Sequence, residues 1–323
     1  MRARRIITLL ILTALIPFGR VALTAPAEAQ QLDKPDLIQN FPVGIQPRGL
    51  AFDGSNIWIT NQDADGVVKL RASDGAVLGT FPAGGASVYP VFDGANIWVT
   101  HFEQNTVSKL RVSDGTLQGT FLVGPGPIGI AFDGTNIWVA CFEGDELLKL
   151  RANDGVILGA FPVGFAPYEL AFDGVNIWVT NSLDDTVTKL RASDGVVQGT
   201  FPVGDYPLGI VFDGANIWVA NWIGDTLTKL RASDGRFLST AVVGDGPWDL
   251  AFDGTKVWVT NNNSNTVMKL RRNGAIERTY LVQSQPLGTL FDGANIWVAN
   301  HISKTVSKIS RGGTLRRQVD SDW

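Results

Sequence analysis

Residues 172–181 read Phe-Asp-Gly-Val-Asn-Ile-Trp-Val-Thr-Asn, and close copies of this phrase recur about every 40 residues. The copies begin at seven phenylalanines: Phe52, Phe92, Phe132, Phe172, Phe212, Phe252 and Phe291. Each copy carries its own tryptophan: Trp58, Trp98, Trp138, Trp178, Trp218, Trp258 and Trp297. Self-similarity at a fixed period indicates one supersecondary unit that is copied and stacked. Because no linker interrupts the copies, the sequence predicts a single repeat domain.

Each repeat contains four short strand candidates. In the fourth copy these are residues 167–172, 176–180, 186–191 and 196–203, separated by turns at Asp173-Gly174 and Ser193-Asp194-Gly195. The strands lack clean alternation of apolar and polar residues, which predicts that both faces of each sheet are buried. Four strands per repeat with both faces covered are typical of a β-propeller blade. The sequence therefore predicts an all-β, seven-bladed propeller of four-stranded blades.

Residues 36–43 resemble the fourth strand of a repeat but have no preceding strands of their own. We expect this segment to complete the last blade beside residues 305–309 and so close the ring. The tail at residues 313–319 also has the character of an outer strand. Only one of the two segments is needed to complete the last blade.

The first 29 residues differ from the rest. A basic start is followed by an apolar run and by Ala27-Glu28-Ala29, which predicts a secretory signal peptide at residues 1–29 and a propeller at residues 30–323. A retained membrane anchor is the alternative, although the apolar run is short for a span. With the leader removed, the protein is predicted to be periplasmic or secreted, monomeric and free of membrane contact. The net charge of −4 argues against a nucleic-acid partner, and the single cysteine, Cys141, excludes an intrachain disulfide.

Three phrases of the fourth repeat resemble YVTN-type propeller repeats: Asn176 to Asn181, Thr186 to Leu190, and Gly199 to Gly204. They are also similar to repeats of NHL-type propellers and of streptogramin (virginiamycin B) lyases. The lyase resemblance implies a metal-dependent site of His and Glu residues on one face of the ring. The histidines of this chain are His101 and His301, two blades apart and without a paired His/Glu phrase.

Features shared by all repeats are interpreted as scaffold. The repeated tryptophans are expected to pack between blades, because large aromatic side chains bury much area. The aspartate before each glycine is explained by a tight turn. The basic Lys-Leu-Arg phrases are expected to cover blade edges with their long stems and to pair with local carboxylates.

Departures from the repeat indicate where a site could lie. The innermost strand carries Gly49, Gly129, Gly209 and Gly288 in four repeats, and glycine suits the crowded axis. The other three repeats carry Tyr89, Glu169 and Asp249 there. A carboxylate near the axis needs a partner. That partner could be a cation, Arg48 or ordered water.

Large aromatic residues replace small or aliphatic ones at the same end of the ring: Phe102, Phe142, Tyr168, Tyr206, Trp222 and Trp248. Together with Arg48 and Tyr89 they are the candidate ligand-binding residues, and ordinary cover over the blade ends is the alternative. Carboxylates such as Glu103, Glu143 and Asp205 add negative charge, which favours cationic partners.

Metal-ligating residue types also occur in this region. His101, Glu103, Cys141 and Glu143 are of the types that bind zinc or copper, although their spacing matches no metal motif. The candidate metal ligands at the channel are Glu169, Asp249, His101 and His301.

These observations predict an exported, non-catalytic propeller that binds a ligand or protein partner through an acidic, aromatic mouth. The partner would be a cationic or aromatic small molecule or a protein, and no cofactor is required. The alternative is a metal-assisted enzyme of the lyase or lactonase kind, with a divalent cation held by Glu169 and Asp249 and with His101 or His301 as acid or base.

Overall fold

A computed structural model describes residues 38–62 and 66–310 of the 323-residue chain. These residues form seven four-stranded antiparallel sheets arranged as a seven-bladed β-propeller, so the predicted fold is confirmed. The predicted signal peptide and the tail at residues 313–319 lie outside the described residues. No helix long and apolar enough to cross a membrane occurs in the part of the chain that the structure describes.

The strands follow one another in chain order, four to a blade. Blades one to three use β2 to β13, blades four to six use β14 to β25, and blade seven combines β26 to β28 with β1. Their bounds are β1 (Ile38–Pro42), β2 (Pro47–Phe52), β3 (Asn56–Asn61), β4 (Val67–Arg71), β5 (Val77–Phe81), β6 (Ser87–Phe92), β7 (Asn96–His101), β8 (Thr106–Arg111), β9 (Leu117–Leu122), β10 (Pro127–Phe132), β11 (Asn136–Cys141), β12 (Glu146–Arg151), β13 (Ile157–Pro162), β14 (Pro167–Phe172), β15 (Asn176–Asn181), β16 (Thr186–Arg191), β17 (Val197–Pro202), β18 (Pro207–Phe212), β19 (Asn216–Asn221), β20 (Thr226–Arg231), β21 (Phe237–Val242), β22 (Pro247–Phe252), β23 (Val257–Asn261), β24 (Thr266–Leu270), β25 (Ile276–Leu281), β26 (Pro286–Phe291), β27 (Asn295–Asn300) and β28 (Thr305–Ser310).

The ring closes through its two ends. β1 pairs antiparallel with β28, with Ile38 opposite Ile309 and Pro42 opposite Thr305. The ring of Phe41 lies 5.7 Å from that of Trp297, the same pairing that other blades make within one repeat. The predicted closure by the N-terminal segment is therefore confirmed for its described part.

The recurring Asp-Gly-x-Asn-Ile-Trp phrase is a hydrogen-bonded unit. In blade four, Asp173 Oδ1 accepts the backbone amides of Val175 and Asn176, while Oδ2 accepts the indole Nε1–H of Trp178 at 2.8 Å. Burial alone would raise the pKa of Asp173, but the Trp178 and Asn176 hydrogen bonds outweigh it and leave the pKa below its usual value. The aspartate thus shapes the turn and also satisfies the buried tryptophan.

The Lys-Leu-Arg phrases divide into two roles. The arginines pair with turn carboxylates as expected, for example Arg191 with Asp194 at 2.8 Å. The prediction was wrong for most of the lysines. Lys149 Nζ instead donates to the carbonyl oxygen of Ala192 in the next blade at 2.6 Å, and it lies 5.1 Å from the ring centre of Trp138. These lysines join neighbouring blades, a contact that local sequence does not reveal.

The outer-strand phenylalanines of five blades also contact the next blade: Phe41, Phe81, Phe121, Phe161 and Phe201. The ring of Phe161 covers Gly195, where an added Cβ would lie 1.9 Å from a ring carbon. Gly195 has φ of +75°, a conformation that glycine adopts without steric cost. Glycine in this turn is therefore required both by its conformation and by the neighbouring phenylalanine.

Candidate functional site

We call the mouth the end of the ring where the loops between second and third strands and the loops between blades emerge. The first strand of each blade lines the axis, and the predicted crowding there is confirmed. A Cβ on Gly129 would lie 2.3 Å from the carbonyl oxygen of Tyr168, and one on Gly288 would lie 2.3 Å from that of Arg48. Tyr89, Glu169 and Asp249 each have glycine at the equivalent position in both neighbouring blades. The reason is that two neighbouring blades do not both have room for a larger side chain at the axis.

Glu169 and Asp249 form a carboxyl pair at the axis, in which Asp249 is buried and Glu169 is half-buried with its Oε2 atom inaccessible. Asp249 accepts the backbone amides of Leu250 and Thr289, each at 2.6 Å. Burial raises the pKa of Asp249 to about 7, and these amides together with Glu169 limit the rise. Burial, followed by the charge of Asp249 and their mutual hydrogen bond, raises the pKa of Glu169 well above its usual value.

The hydrogen bonds decide which of the two carboxyls carries the proton. Glu169 Oε2 has no donor in reach among the described residues, whereas both oxygens of Asp249 accept amides. The hydrogen bond between the two carboxyls needs a proton, and Glu169 is the group that can donate it to Asp249. The pair therefore shares a proton at neutral pH, with Glu169 as the acid.

Arg48 does not serve as the counter-charge to this pair. Its guanidinium donates to Gln62 Oε1 and to the Tyr168 hydroxyl, both at 2.9 Å, and lies 5.8 Å from the ring centre of Tyr89. The described residues give it no ion pair with Glu169 or Asp249. Arg48 instead fixes the two tyrosines that fill the axis.

The residues at the axis do not fit a resident divalent cation. A hard cation needs about six oxygen ligands, and both oxygens of Asp249 are already used by amides. No group of three or more His, Cys, Asp or Glu residues suited to a metal occurs within residues 38–62 and 66–310. The arrangement favours a shared proton over a metal.

The aromatic candidates form one continuous set. Ring centres are 5.6–6.4 Å apart along the series Phe102, Phe142, Tyr168, Trp248, Trp222 and Tyr206, and Tyr89 joins it at Tyr168. Tyr89 and Tyr168 are buried, and the other five residues are half-buried. They pack on Val88, Ile128 and Leu208 as a hydrophobic cluster. The structure thus brings together the predicted aromatic residues, with Arg48 and Tyr89 at their centre.

The four residues of metal-ligating types in blades two and three are not brought together as one site in the described part of the chain. His101 and Cys141 are buried at the end of the second strand, where other blades have asparagine. His101 Nε2 lies 2.9 Å from Ser108 Oγ, much as Asn181 donates to Thr188 Oγ1. Burial raises the pKa of the Cys141 thiol to about 12. Glu103 and Glu143 are exposed on the mouth loops.

His301 lies at the mouth, at the position that Phe102 and Trp222 occupy in their blades. It is buried, and its Nδ1 lies 3.4 Å from the Pro47 carbonyl oxygen. Ser182 contacts the equivalent carbonyl, that of Pro207, at 2.7 Å. The contact between His301 and the Pro47 carbonyl is therefore a contact between blades that recurs elsewhere in the ring, and it is made at the mouth.

Sequence reasoning missed five large, exposed apolar side chains on the mouth loops: Ile45, Phe165, Leu183, Ile223 and Ile302. Phe165, Leu183 and Ile223 are 60%, 52% and 59% exposed. Leu183 and Ile223 stand where blades two and three have Glu103 and Glu143. Comparing these loop positions across repeats would have found them.

No protein-family model matches the sequence, and no curated protein matches it. Among solved structures, the fold is similar to a streptogramin B lyase, with 20% identity and a TM-score of 0.74 over 84% of this chain and 96% of that one. It is also similar to virginiamycin B lyase from Staphylococcus aureus, with 20% identity and a TM-score of 0.74, covering 84% and 98% of the two chains. A catalytically inactive form of that lyase with quinupristin gives 19% identity and a TM-score of 0.75 over the same shares. At these identities the likeness shows the fold, and it supports the resemblance recognised in the repeats.

Proposed function

We propose that the protein is an exported, non-catalytic propeller that binds a cationic ligand or partner at its mouth. The observation that carries the proposal is the continuous aromatic set from Phe102 to Tyr206, which is half-buried at its outer members and surrounded by carboxylates. Aromatic rings attract cations through their faces, most strongly when the cation is desolvated. Nearby carboxylates add attraction and increase the association rate.

The charge of the mouth supports a cationic partner in particular. Eight carboxylates lie on the described mouth loops: Glu103, Glu143, Asp145, Asp184, Asp185, Asp205, Asp225 and Asp245. Lys304 is the one lysine or arginine on those loops within the described residues. Four of the carboxylates also accept backbone amides, for example Asp185 from Tyr206 at 2.8 Å. The acidic charge is thus concentrated at the end of the ring that carries the aromatic residues.

Loss of the two mouth tryptophans is expected to weaken binding of a cationic aromatic probe. We expect the Trp222→Ala/Trp248→Ala variant to bind benzyltrimethylammonium roughly tenfold or more weakly than the wild type, because each ring contributes on the order of 1 kcal/mol to such a contact. Isothermal titration calorimetry measures the change. The matched control is Phe237→Ala, which removes an exposed ring from the outer edge of blade five. Equal affinity of the wild type and the double variant would contradict the proposal.

The second candidate is a metal-assisted lyase or lactonase, favoured by the shared fold with streptogramin B lyases. If it holds, Mg²⁺ should raise the melting temperature of the wild type but not that of Glu169→Gln/Asp249→Asn, and the wild type should convert quinupristin to a new product seen by liquid chromatography. An unchanged melting temperature together with intact quinupristin would eliminate this candidate.

A further inference from the structure

The axis of the ring is filled, so an occupant of the mouth must lie across its surface. Tyr89 and Tyr168 are buried there with Arg48, and the Trp248 indole N–H lies 3.4 Å from the Tyr89 hydroxyl. Val88, Ile128 and Leu208 pack against the same rings. The ring centre therefore supplies a floor for a ligand and not a deep recess.

Blades four and five extend this floor outwards with an apolar patch, which we define as Phe165, Leu183 and Ile223. The three side chains are more than half exposed, and their loops are held by backbone bonds. Leu183 N donates to Phe165 O and Ile223 N to Asp205 O, each at 3.3 Å. Clustered exposed apolar residues with a polar rim are typical of interaction sites. Folding alone does not require them, because the equivalent positions in blades two and three are Glu103 and Glu143.

The patch is continuous with the mouth. Ile223 follows Trp222, whose ring lies 5.6 Å from that of Tyr206 and 6.3 Å from that of Trp248. Asp184, Asp205 and Asp245 are exposed on the same loops. A bound molecule would therefore contact apolar side chains from the mouth across two blades, with carboxylates beside them.

We propose that the mouth and the apolar patch together bind a basic, amphipathic polypeptide segment, an inference that rests on the proposed binding function. The apolar side chains of such a segment would cover Phe165, Leu183 and Ile223, and its Lys or Arg residues would face the loop carboxylates. A small cation reaches the aromatic rings but leaves the patch uncovered. An anionic membrane surface is repelled by the carboxylates.

The test compares two probes on one set of variants. A fluorescein-labelled linear peptide of leucine and lysine is expected to bind the wild type in an anisotropy titration, more weakly as salt is raised, while its leucine–glutamate counterpart should not bind. The Phe165→Ser/Leu183→Ser/Ile223→Ser variant should bind the lysine peptide roughly tenfold or more weakly. Its affinity for benzyltrimethylammonium should stay unchanged. Val175→Ser, which removes an exposed apolar side chain from the opposite end of the ring, is the matched control.

The outcomes separate the two proposals. Binding of benzyltrimethylammonium without preferential binding of the lysine peptide would overturn this inference and leave the binding function standing. Equal peptide affinity of the triple variant and wild type would also overturn it. If neither probe binds, both proposals fail.

Discussion

Trp178→Ala is expected to lower the free energy of unfolding by about 3–5 kcal/mol, a large part of the total stability of a typical domain. The Trp178 side chain is fully buried against Ile217, Val219 and Leu230 of the next blade, so its removal leaves a cavity between two sheets. It also removes the hydrogen bond to Asp173 at 2.8 Å. Urea unfolding followed by circular dichroism measures the loss.

Trp218→Ala provides a matched comparison. Trp218 is equally buried and bonds Asp213 in the same way, but the outer strand of its blade carries Ala241 where Trp178 has Phe201 at 5.7 Å. We expect Trp218→Ala to cost less than Trp178→Ala by roughly 0.5–1.5 kcal/mol, the value of one aromatic pair. A loss below 1 kcal/mol for Trp178→Ala would show that these tryptophans do not carry the packing between blades.

The second large effect concerns pH. Between about pH 5 and 7 the unfolded chain has lost the protons of both Glu169 and Asp249. The folded protein keeps the proton of Glu169 and begins to lose that of Asp249 only as pH approaches 7, because both pKa values are raised. The folded state then binds more protons, so this pair makes stability fall as pH rises through that range. Glu169→Gln preserves a donor to Asp249 and removes one of the two titrating groups. The free energy of unfolding of this variant should fall less steeply with pH than that of the wild type. The two slopes should differ by on the order of 1 kcal/mol per pH unit.

Urea unfolding of wild type and Glu169→Gln at several pH values measures the two slopes. The control is Glu103→Gln, which removes the same type of carboxylate from an exposed position on a mouth loop. If the profile of Glu169→Gln were parallel to that of the wild type, Glu169 would be ionised in the folded protein and the shared proton would be disproved.

The fold could be predicted because each repeat carries its own strands and turns, and because residues 36–43 resemble a fourth strand without a blade. What the repeat did not reveal are contacts between blades. The bond from Lys149 to Ala192 joins residues one repeat apart. In the sequence pattern, a lysine at this position is compatible both with a local ion pair and with a bond to the next blade. The link from Trp178 to Asp173 was missed although its fixed spacing is visible in every copy.

The site was predicted less completely. Departures from the repeat identified Glu169, Asp249 and the aromatic residues, but burial and direction depend on neighbouring blades. His101 was predicted as a candidate ligand from its residue type, whereas its position, shared with Asn181, gives it the same kind of contact with the third strand. Whether two carboxylates bind a metal or share a proton depends on amide donors such as Thr289 N, which come from another blade.

The pairing of β1 with β28 also fixes how the ring is presented. Pro42 and Thr305 lie at the mouth end of this pair, and Ile38 and Ile309 lie at the other end. The described chain therefore begins at Ile38 and ends at Ser310 on the side of the ring away from the mouth. A domain fused directly before Ile38 or directly after Ser310 would hold the propeller from behind and leave its aromatic, acidic end directed outwards.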